Sequence, residues 1–546
     1  MAQVRKLTVT LALTGLLGGA LVSAESAAGQ NDEGAAIAAS GRGSGTARLV
    51  DQRANPPAPP VAATAGHGPL GMDGKPPGAA AAGRPRSDKT AGLTADPNGA
   101  GRTVGSPNSN GPTRPGTGLP RLAVNANFIG IVQSGSGGTN ADASSSVGTT
   151  QIMQTANGRV TVFNKDGTVR CGNTLAAWLG AGSTEVFSPR TLFDSHAGRF
   201  VIIASTPGRA GVAPRLFLAA TTTVDACEGY HVYDLSFGGS MFPAGARLDF
   251  PYLGQDQRAI LSSTNNFNPG YVGSAAWSVA KEKLYAGAPL DFPAFTVAFS
   301  AAPVTVTGIP LGPTTKSYFV AAVPDFGYRL YRMTNTAAAQ PRLVLQASIP
   351  AAFGSPPRRV SQCPEAGESV LDPGDGRLAA PPVQAVNSPF IWYAHTVDLH
   401  GFPTVRYGVI NTESNTAYST VAFHGSTSDD FNPSIGAFEE TPNGFYLWLN
   451  WAYTDTGATP CVSPSATMNA VSPGAGVPAL INSDLPLVQG SPSMASGPFG
   501  GFSSVHVDSA PVGPPAARTA VLTQPYFVGG NQWGTRIARV SFVPGS

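Results

Sequence analysis

Residues 159–167 read RVTVFNKDG, and the fold class follows from that stretch. Val160, Thr161, Val162 and Phe163 are β-branched or aromatic and suit a pleated strand. Asn164-Lys165-Asp166-Gly167 then places glycine where a hairpin needs positive φ. The same grammar recurs outward. Arg199-Phe200-Val201-Ile202-Ile203, Arg215-Leu216-Phe217-Leu218 and Phe445-Tyr446-Leu447-Trp448-Leu449 are further short strands, and Ser195-His196-Ala197-Gly198 and Thr441-Pro442-Asn443-Gly444 are further turns. This predicts an all-β region from about Leu122 to Phe542, with one stretch of helical composition, Ser278 to Tyr285.

Composition agrees. Of 546 residues 66 are Gly and 49 Pro, and only 12% are charged, which excludes a coiled coil or helical bundle; the 42% hydrophobic content excludes a wholly disordered chain. A net charge of +2 supplies no field for nucleic acid or an anionic membrane. Arg5 and Lys6 precede an uncharged apolar run from Leu7 to Val22, followed by small residues at Ser23 and Ala24, so residues 1–24 read as a cleaved signal peptide and the mature chain as secreted, extracellular or periplasmic. No later segment approaches a membrane span. Residues 25–120, with Asn55-Pro56-Pro57-Ala58-Pro59-Pro60 and no aromatic side chain, cannot bury enough apolar surface to offset ordering and read as a disordered spacer. Residues 121–546 are the folded domain.

The roughly 425 residues of short strands exceed one sandwich, and a ring of four-stranded sheets at about 40–50 residues each accommodates them. The expectation is a monomeric β-propeller of about seven blades, six to eight being possible, with two abutting sandwiches as the competing architecture. In an exported protein the even count of Cys171, Cys227, Cys363 and Cys461 reads as disulfides. Three pairings are possible, of which Cys171 with Cys227 and Cys363 with Cys461 is favoured because it joins loops of neighbouring units.

Several phrases, in their order along the chain, resemble a family of secreted bacterial β-propeller proteins: VGTTQIMQTANGRVTVFNKDGTV (147–169), SPRTLFDSHAGRFVII (188–203), DFPYLG (249–254), LDPGDGRLAAPPVQAVNSPFIWYAHTV (371–397), FNPSIGAFEETPNGFYLWLN (431–450) and NQWGTRIARVSF (531–542). The resemblance implies a propeller over most of residues 125–545. It also implies an acidic residue where this chain has Ser188, before Pro189-Arg190, and another where it has Thr535. A carboxylate site at those positions in relatives would be lost here.

The chemistry is less legible. A glycosidase requires two carboxylates about 5–9 Å apart facing one pocket, and Asp256, Asp325, Asp372, Asp375, Asp429, Asp430, Glu439 and Glu440 all lie in turn-rich segments where Asp also serves turns. Asp194 reads as a hairpin cap. No Gly-x-Ser-x-Gly elbow, dinucleotide loop or phosphate loop stands between a strand and a helix. His395 and His400, five apart on one strand, would sit ~17 Å from each other, too far for a shared metal unless a turn intervenes. Asp372-Pro373-Gly374-Asp375-Gly376 could hold calcium but lacks regularly spaced donors, so no cofactor is expected. Tyr393, Tyr407, Trp448, Trp451, Tyr453, Tyr526 and Trp533 offer stacking faces, although alternation points Trp448 and Trp451 to opposite sides. The reading is therefore a binding or surface-interaction module for a glycan or protein, with Asp372, Asp375, Asp429, Asp430, Trp451 and Trp533 as candidate ligand contacts. The alternative is an extracellular carbohydrate-active enzyme with a carboxylate pair at the propeller mouth.

Overall fold

The computed structural model describes residues 34–54, 89, 104–105, 121–136, 140–207, 211–307, 316–357, 360–363, 371–386, 388–441, 444–458, 462–471, 485–491, 499, 501–508, 519–529 and 532–543. The signal-peptide reading, Cys461 and most of the expected spacer lie outside them. Four strands precede the first complete sheet: β1 (Ala39–Gly45), β2 (Ala47–Asp51), β3 (Val104–Gly105) and β4 (Arg121–Val132). The first unit is β5 (Ala143–Val147), β6 (Gln151–Ala156), β7 (Arg159–Asn164) and β8 (Val169–Thr174). The second is β9 (Phe187–Asp194), β10 (Arg199–Ser205), β11 (Arg215–Thr221) and β12 (Gly229–Gly238), and the third β13 (Arg247–Gln255), β14 (Ala259–Asn268), β15 (Gly270–Ala280) and β16 (Leu290–Val297). The fourth begins with β17 (Ala302–Pro303), is followed in the chain by the connecting strand β18 (Thr305–Thr307), and continues as β19 (Ser317–Val323), β20 (Gly327–Thr334) and β21 (Arg342–Pro350). The fifth is β22 (Val383–Ala385), β23 (Phe390–Leu399), β24 (Phe402–Asn411) and β25 (Thr416–Phe423). The sixth is β26 (Ser428–Thr441), β27 (Gly444–Asp455), β28 (Val462–Val471) and β29 (Leu485–Val488). The last is β30 (Ser504–Val507), β31 (Thr519–Gly529) and β32 (Gln532–Val543), completed by β4.

These are antiparallel meanders, and the first strand of each faces the next across a common axis. β5 packs against β9, β9 against β13, β13 against β17, β22 against β26, β26 against β30, and β30 back against β5, while β18 pairs with both β13 and β22. Apolar clusters fill the junctions: Val162, Phe200 and Val232 between the first two units, Leu218, Trp277 and Phe292 at the next, Leu261, Phe319 and Met333 after that. Tyr328 and Tyr393 join the fourth and fifth, Tyr407 and Trp451 the fifth and sixth, Trp448 and Phe542 the sixth and last, and Ile152 and Ile537 the last and first. A radial ring of four-stranded sheets is a β-propeller, and the two-sandwich alternative falls.

Local expectations hold at the hairpins. Gly167 and Gly198 take φ of 98° and 64°. The helical composition at 278–285 resolves into the end of β15, to Ala280, and a one-turn helix, Lys281–Tyr285. Within the expected spacer, residues 39–51 are strands. The Gly/Ser-rich sequence ASGRGSG of β1 passes between the outer strands β12 and β16 because it has almost no side chains. A Cβ on Gly43 would lie 2.5 Å from the Phe292 ring, and one on Gly41 would lie 2.5 Å from the Gly238 carbonyl oxygen. Ala36 bridges to Val344 beyond, and Gln52 Nε2 donates to the Trp178 carbonyl, so this segment runs along the rims of the fourth, third, second and first units in turn. Lys89 enters farther round, its ammonium on Asp430 of β26 at 2.8 Å. No helix among the described residues is long and apolar enough to cross a membrane.

Candidate functional site

The inner strands all begin at one end of the axis, and there the backbone is unusual. Asp142, Ser188, Phe250, Ser300 and Asn432 have φ between 38° and 54°, the left-handed region that costs a non-glycine residue roughly 1–2 kcal/mol. Each belongs to a different inner strand: Asp142 and Ser300 just precede β5 and β17, Ser188 is the second residue of β9, and Phe250 and Asn432 are the fourth of β13 and the fifth of β26. Three precede proline (Ser188-Pro189, Phe250-Pro251, Asn432-Pro433), and all three interrupt strand register, between Phe187 and Arg190, Asp249 and Tyr252, and Phe431 and Ser434. Such bulges re-aim side chains, and left-handed residues persist only where the surrounding structure over-determines them.

The side chains brought there are charged. Ser144 Oγ accepts from Thr191 N at 3.2 Å and Ser146 Oγ meets Thr191 Oγ1 at 2.9 Å, which sets β5 beside β9 and places Asp142 and Arg190 together at the start of that pair. The Arg190 guanidinium lies 3.3 Å from the Phe502 ring centroid and 5.0 Å from that of Phe250, with Nη2 donating to the Ala379 carbonyl at 2.8 Å. Arg377 covers Phe250 as well, at 4.6 Å, and Asp375 holds it through Nε at 2.7 Å and Nη2 at 2.5 Å. Arg247 pairs with Asp249 at 3.4 Å, and Tyr252 donates to the Leu378 carbonyl at 2.8 Å. Asp142 accepts one hydrogen bond, from Gly501 N at 3.3 Å.

Burial dominates the electrostatics. It pushes the Asp142 carboxyl up to about 7; the Gly501 N–H and Arg190 pull it down, and Asp249 adds to the rise. Burial lowers Arg190 to about 10, with Tyr252 and Asp142 opposing and Arg377 assisting. Burial also disfavours the Arg377 charge, but Asp375 more than offsets this and holds it above its ordinary value; Arg377 in turn holds Asp375 low. Three polar groups here are short of partners. Arg190 Nε and Ser188 Oγ are buried with no hydrogen-bond partner, and Arg190 has no carboxylate within ion-pair distance among the described residues. Among the described residues Asp142 is a buried acid with a single donor.

Most residues singled out from sequence serve other ends. Asp430 is fully buried and accepts from His424 N, Trp451 Nε1, Ser428 Oγ and Lys89 Nζ, while Asp429 accepts from Ser361 N. Trp451 and Trp533 have no exposed surface, so neither offers a stacking face; the same holds for Tyr393, Tyr407 and Trp448. Trp448 and Trp451 do point to opposite sides of β27, each into a different junction. Asp372 caps the Gly374 N–H of its turn, and Asp194 caps His196 N as read from sequence while also pairing with Lys281 at 2.9 Å. Asp256 accepts from two backbone amides and from Ser317 and Thr336. Both His395 nitrogens are taken, by Gly376 O and Tyr328 OH, and His400 sits at the hairpin turn. The side chains of Glu439 and Glu440 lie outside the described residues. Of the six ligand-contact candidates, Asp375 alone reaches the axial cluster, as the partner of Arg377. The sequence reading missed Asp142, Arg190, Asp249 and Arg377 as a group. The signal for Arg190 and Asp249 was the recurrent X-Pro of SPR and DFP, quoted above as phrases without the backbone geometry they encode.

The disulfide Cys171–Cys227 forms as expected, joining β8 of the first unit to a loop of the second. Cys363 is also disulfide-bonded. Thr535, unlike Ser188, is satisfied, accepting from Gln154 Nε2 and donating to the Ile131 carbonyl.

No protein-family model and no curated protein matches the chain. Solved structures similar to it include a GH43 endo-arabinanase from Bacillus licheniformis, at 11% identity over 62% of this chain and 97% of that one, with a TM-score of 0.26. The phage phi92 endosialidase is similar at 8% identity over 78% and 70%, TM-score 0.35, and the plexin A4 extracellular region at 8% over 78% and 50%, TM-score 0.27.

Proposed function

We propose that this protein is an exported β-propeller that binds a small polar ligand, of glycan or similar hydrogen-bonding chemistry, at the axial end where its inner strands begin. One observation carries the reading: among the described residues Asp142, Ser188 and Arg190 bring under-satisfied buried polar groups together beside the ring of left-handed residues, whereas other such atoms, Gln52 Oε1 and Arg199 Nε among them, lie away from it. The ring of left-handed residues supports it, since strain at one opening persists only where the surrounding structure enforces it. Export is supported by the charged-then-apolar N-terminal sequence and by the Cys171–Cys227 bond. The test is a glycan array probed with the purified protein, with hydrolysis read in parallel. Binding that is lost in Asp142→Asn or Arg190→Met, with folding retained, supports the reading; binding indifferent to both variants, or no binding to any glycan, refutes it.

A second reading is favoured by a specific feature. Asp142, protonated up to about pH 7, lies within electrostatic reach of Asp249, the pairing of acid and carboxylate that glycoside hydrolysis uses. Under it Asp142 donates the proton to the leaving oxygen and Asp249 acts as base or nucleophile. Hydrolysis of any arrayed glycan, lost in Asp142→Asn while binding persists, would establish this reading over the first.

A further inference from the structure

We infer that the axial site takes a single negatively charged group, a carboxylate, on the guanidinium of Arg190. The inference rests on the binding reading above and names the class of ligand. Three guanidiniums surround Phe250 and its neighbours. Arg377 is matched by Asp375 and Arg247 by Asp249, whereas among the described residues Arg190 has hydrogen-bonding and ring partners only, and its Nε has none. A buried cation without a counter-charge is costly, and planar carboxylates are what a guanidinium edge binds best. Asp142, the remaining acid, is held largely protonated below about pH 7 and so leaves the cluster one positive charge in excess. The Ala379 carbonyl lies against Arg190, which is only 3% exposed, so a ligand meets this side chain with one small group rather than along an extended face.

The charge balance makes binding pH-dependent. The groups of the cluster are Arg190, Arg247, Asp249, Tyr252, Asp375 and Arg377; Arg247 pairs with Asp249 at 3.4 Å, Arg377 and Asp375 hold each other charged, and burial holds the Tyr252 hydroxyl above its ordinary value. Burial brings the Asp142 carboxyl to about 7. Its ionisation supplies Arg190 with an internal counter-charge and competes with the ligand.

The experiment is calorimetry on the full chain at pH 6 and pH 8, at constant ionic strength, with sodium glucuronate, glucose, sodium acetate and sodium chloride as probes. The expected result is glucuronate binding that weakens by about tenfold from pH 6 to pH 8, no binding of glucose, and loss of at least about tenfold in Arg190→Met, the scale of a charged hydrogen bond. Arg190→Lys, which keeps the charge, should retain weakened binding if Arg190→Met fails to fold, and Asp142→Asn should bind equally at both pH values. Acetate binding as well as glucuronate supports a free carboxylate as the source; glucuronate alone supports a sugar acid. Chloride displacing either at equal concentration, an adventitious ion only, overturns the proposal. A neutral glycan bound equally by wild type and Arg190→Met but lost in Asp142→Asn overturns the carboxylate assignment and leaves the binding reading standing, whereas no glycan or carboxylate binding overturns both.

Discussion

Lys89→Met should destabilise the propeller by about 3 kcal/mol, although Lys89 lies in a segment that reads as a spacer. Its ammonium and the Asp430 carboxylate are both fully buried. Nζ donates to Asp430 Oδ2 at 2.8 Å and to the Ser428 carbonyl at 2.7 Å, and sits 4.7 Å from the Phe423 ring centroid. Removing one member of a buried pair typically costs ~3–5 kcal/mol, because the other charge is left uncompensated. Asp430 keeps three donors, His424 N at 2.8 Å, Trp451 Nε1 at 2.9 Å and Ser428 Oγ at 2.6 Å, which puts the cost at the lower end. Urea titration of wild type, Lys89→Met, Asp430→Asn and the double variant measures it. The double variant should recover about 2 kcal/mol relative to the sum of the singles, since neither charge then remains. A Lys89→Met loss under about 1 kcal/mol, or strictly additive singles, would refute the ion pair as a tie between the N-terminal segment and the ring.

Asp142→Asn should stabilise the fold at pH 8 relative to wild type. From about pH 4 to 7 the native state holds a proton that the unfolded chain releases, so the wild-type contribution is complete below that window and lost across it, by at most about 4 kcal/mol; unfolding free energies at pH 4, 6 and 8 should show a flatter profile in the variant. His506 has the opposite sign: burial lowers it to about 4, so its contribution is present above about 6.5 and is lost as pH falls through 4, and His506→Gln should be less acid-sensitive than wild type in the same titration. Replacing Cys171 and Cys227 by serine should cost about 4 kcal/mol on loop-closure entropy for a sequence separation of 56, read by thermal unfolding under non-reducing conditions. Trp451→Phe should cost about 1.5–3 kcal/mol through the lost bond to Asp430 and leave ligand binding unchanged, the mark of a structural tryptophan.

The sequence showed the outer and middle strands because they alternate or concentrate β-branched and aromatic residues, as in β7 and β10, and because their hairpins need glycine at Gly167 and Gly198. The inner strands were harder to recognise. Ala143–Val147 reads ASSSV, and its buried hydroxyls face neighbouring units: Ser145 meets Ser504 and Thr523, so polarity there reflects the crowded axis and not exposure to solvent. β1 was hidden for a related reason, since Gly41 and Gly43 look like linker residues until the rings of Phe242 and Phe292 are seen to need the space. The axial site was illegible because its members, Asp142, Arg190, Asp249 and Arg377, come from four separate stretches and converge only when the ring closes. Asp429 and Asp430 misled for the converse reason: adjacent acids suggest a ligand site, but backbone amides, Trp451 and Lys89 satisfy them internally.

The pairing of β4 with β32 joins residues about four hundred positions apart. On the ribosome Arg121–Val132 emerges long before the strand that will receive it, and it must wait with both edges unpaired while the intervening sheets are made. Non-local pairing of this kind sets a slow final step, and an unpaired edge is a template for aggregation in the meantime. A premature stop anywhere before β31 would therefore remove the clasp for the whole circle, and a nascent chain that misses it would leave the axial residues of Asp142 and Arg190 without the neighbours that hold them together.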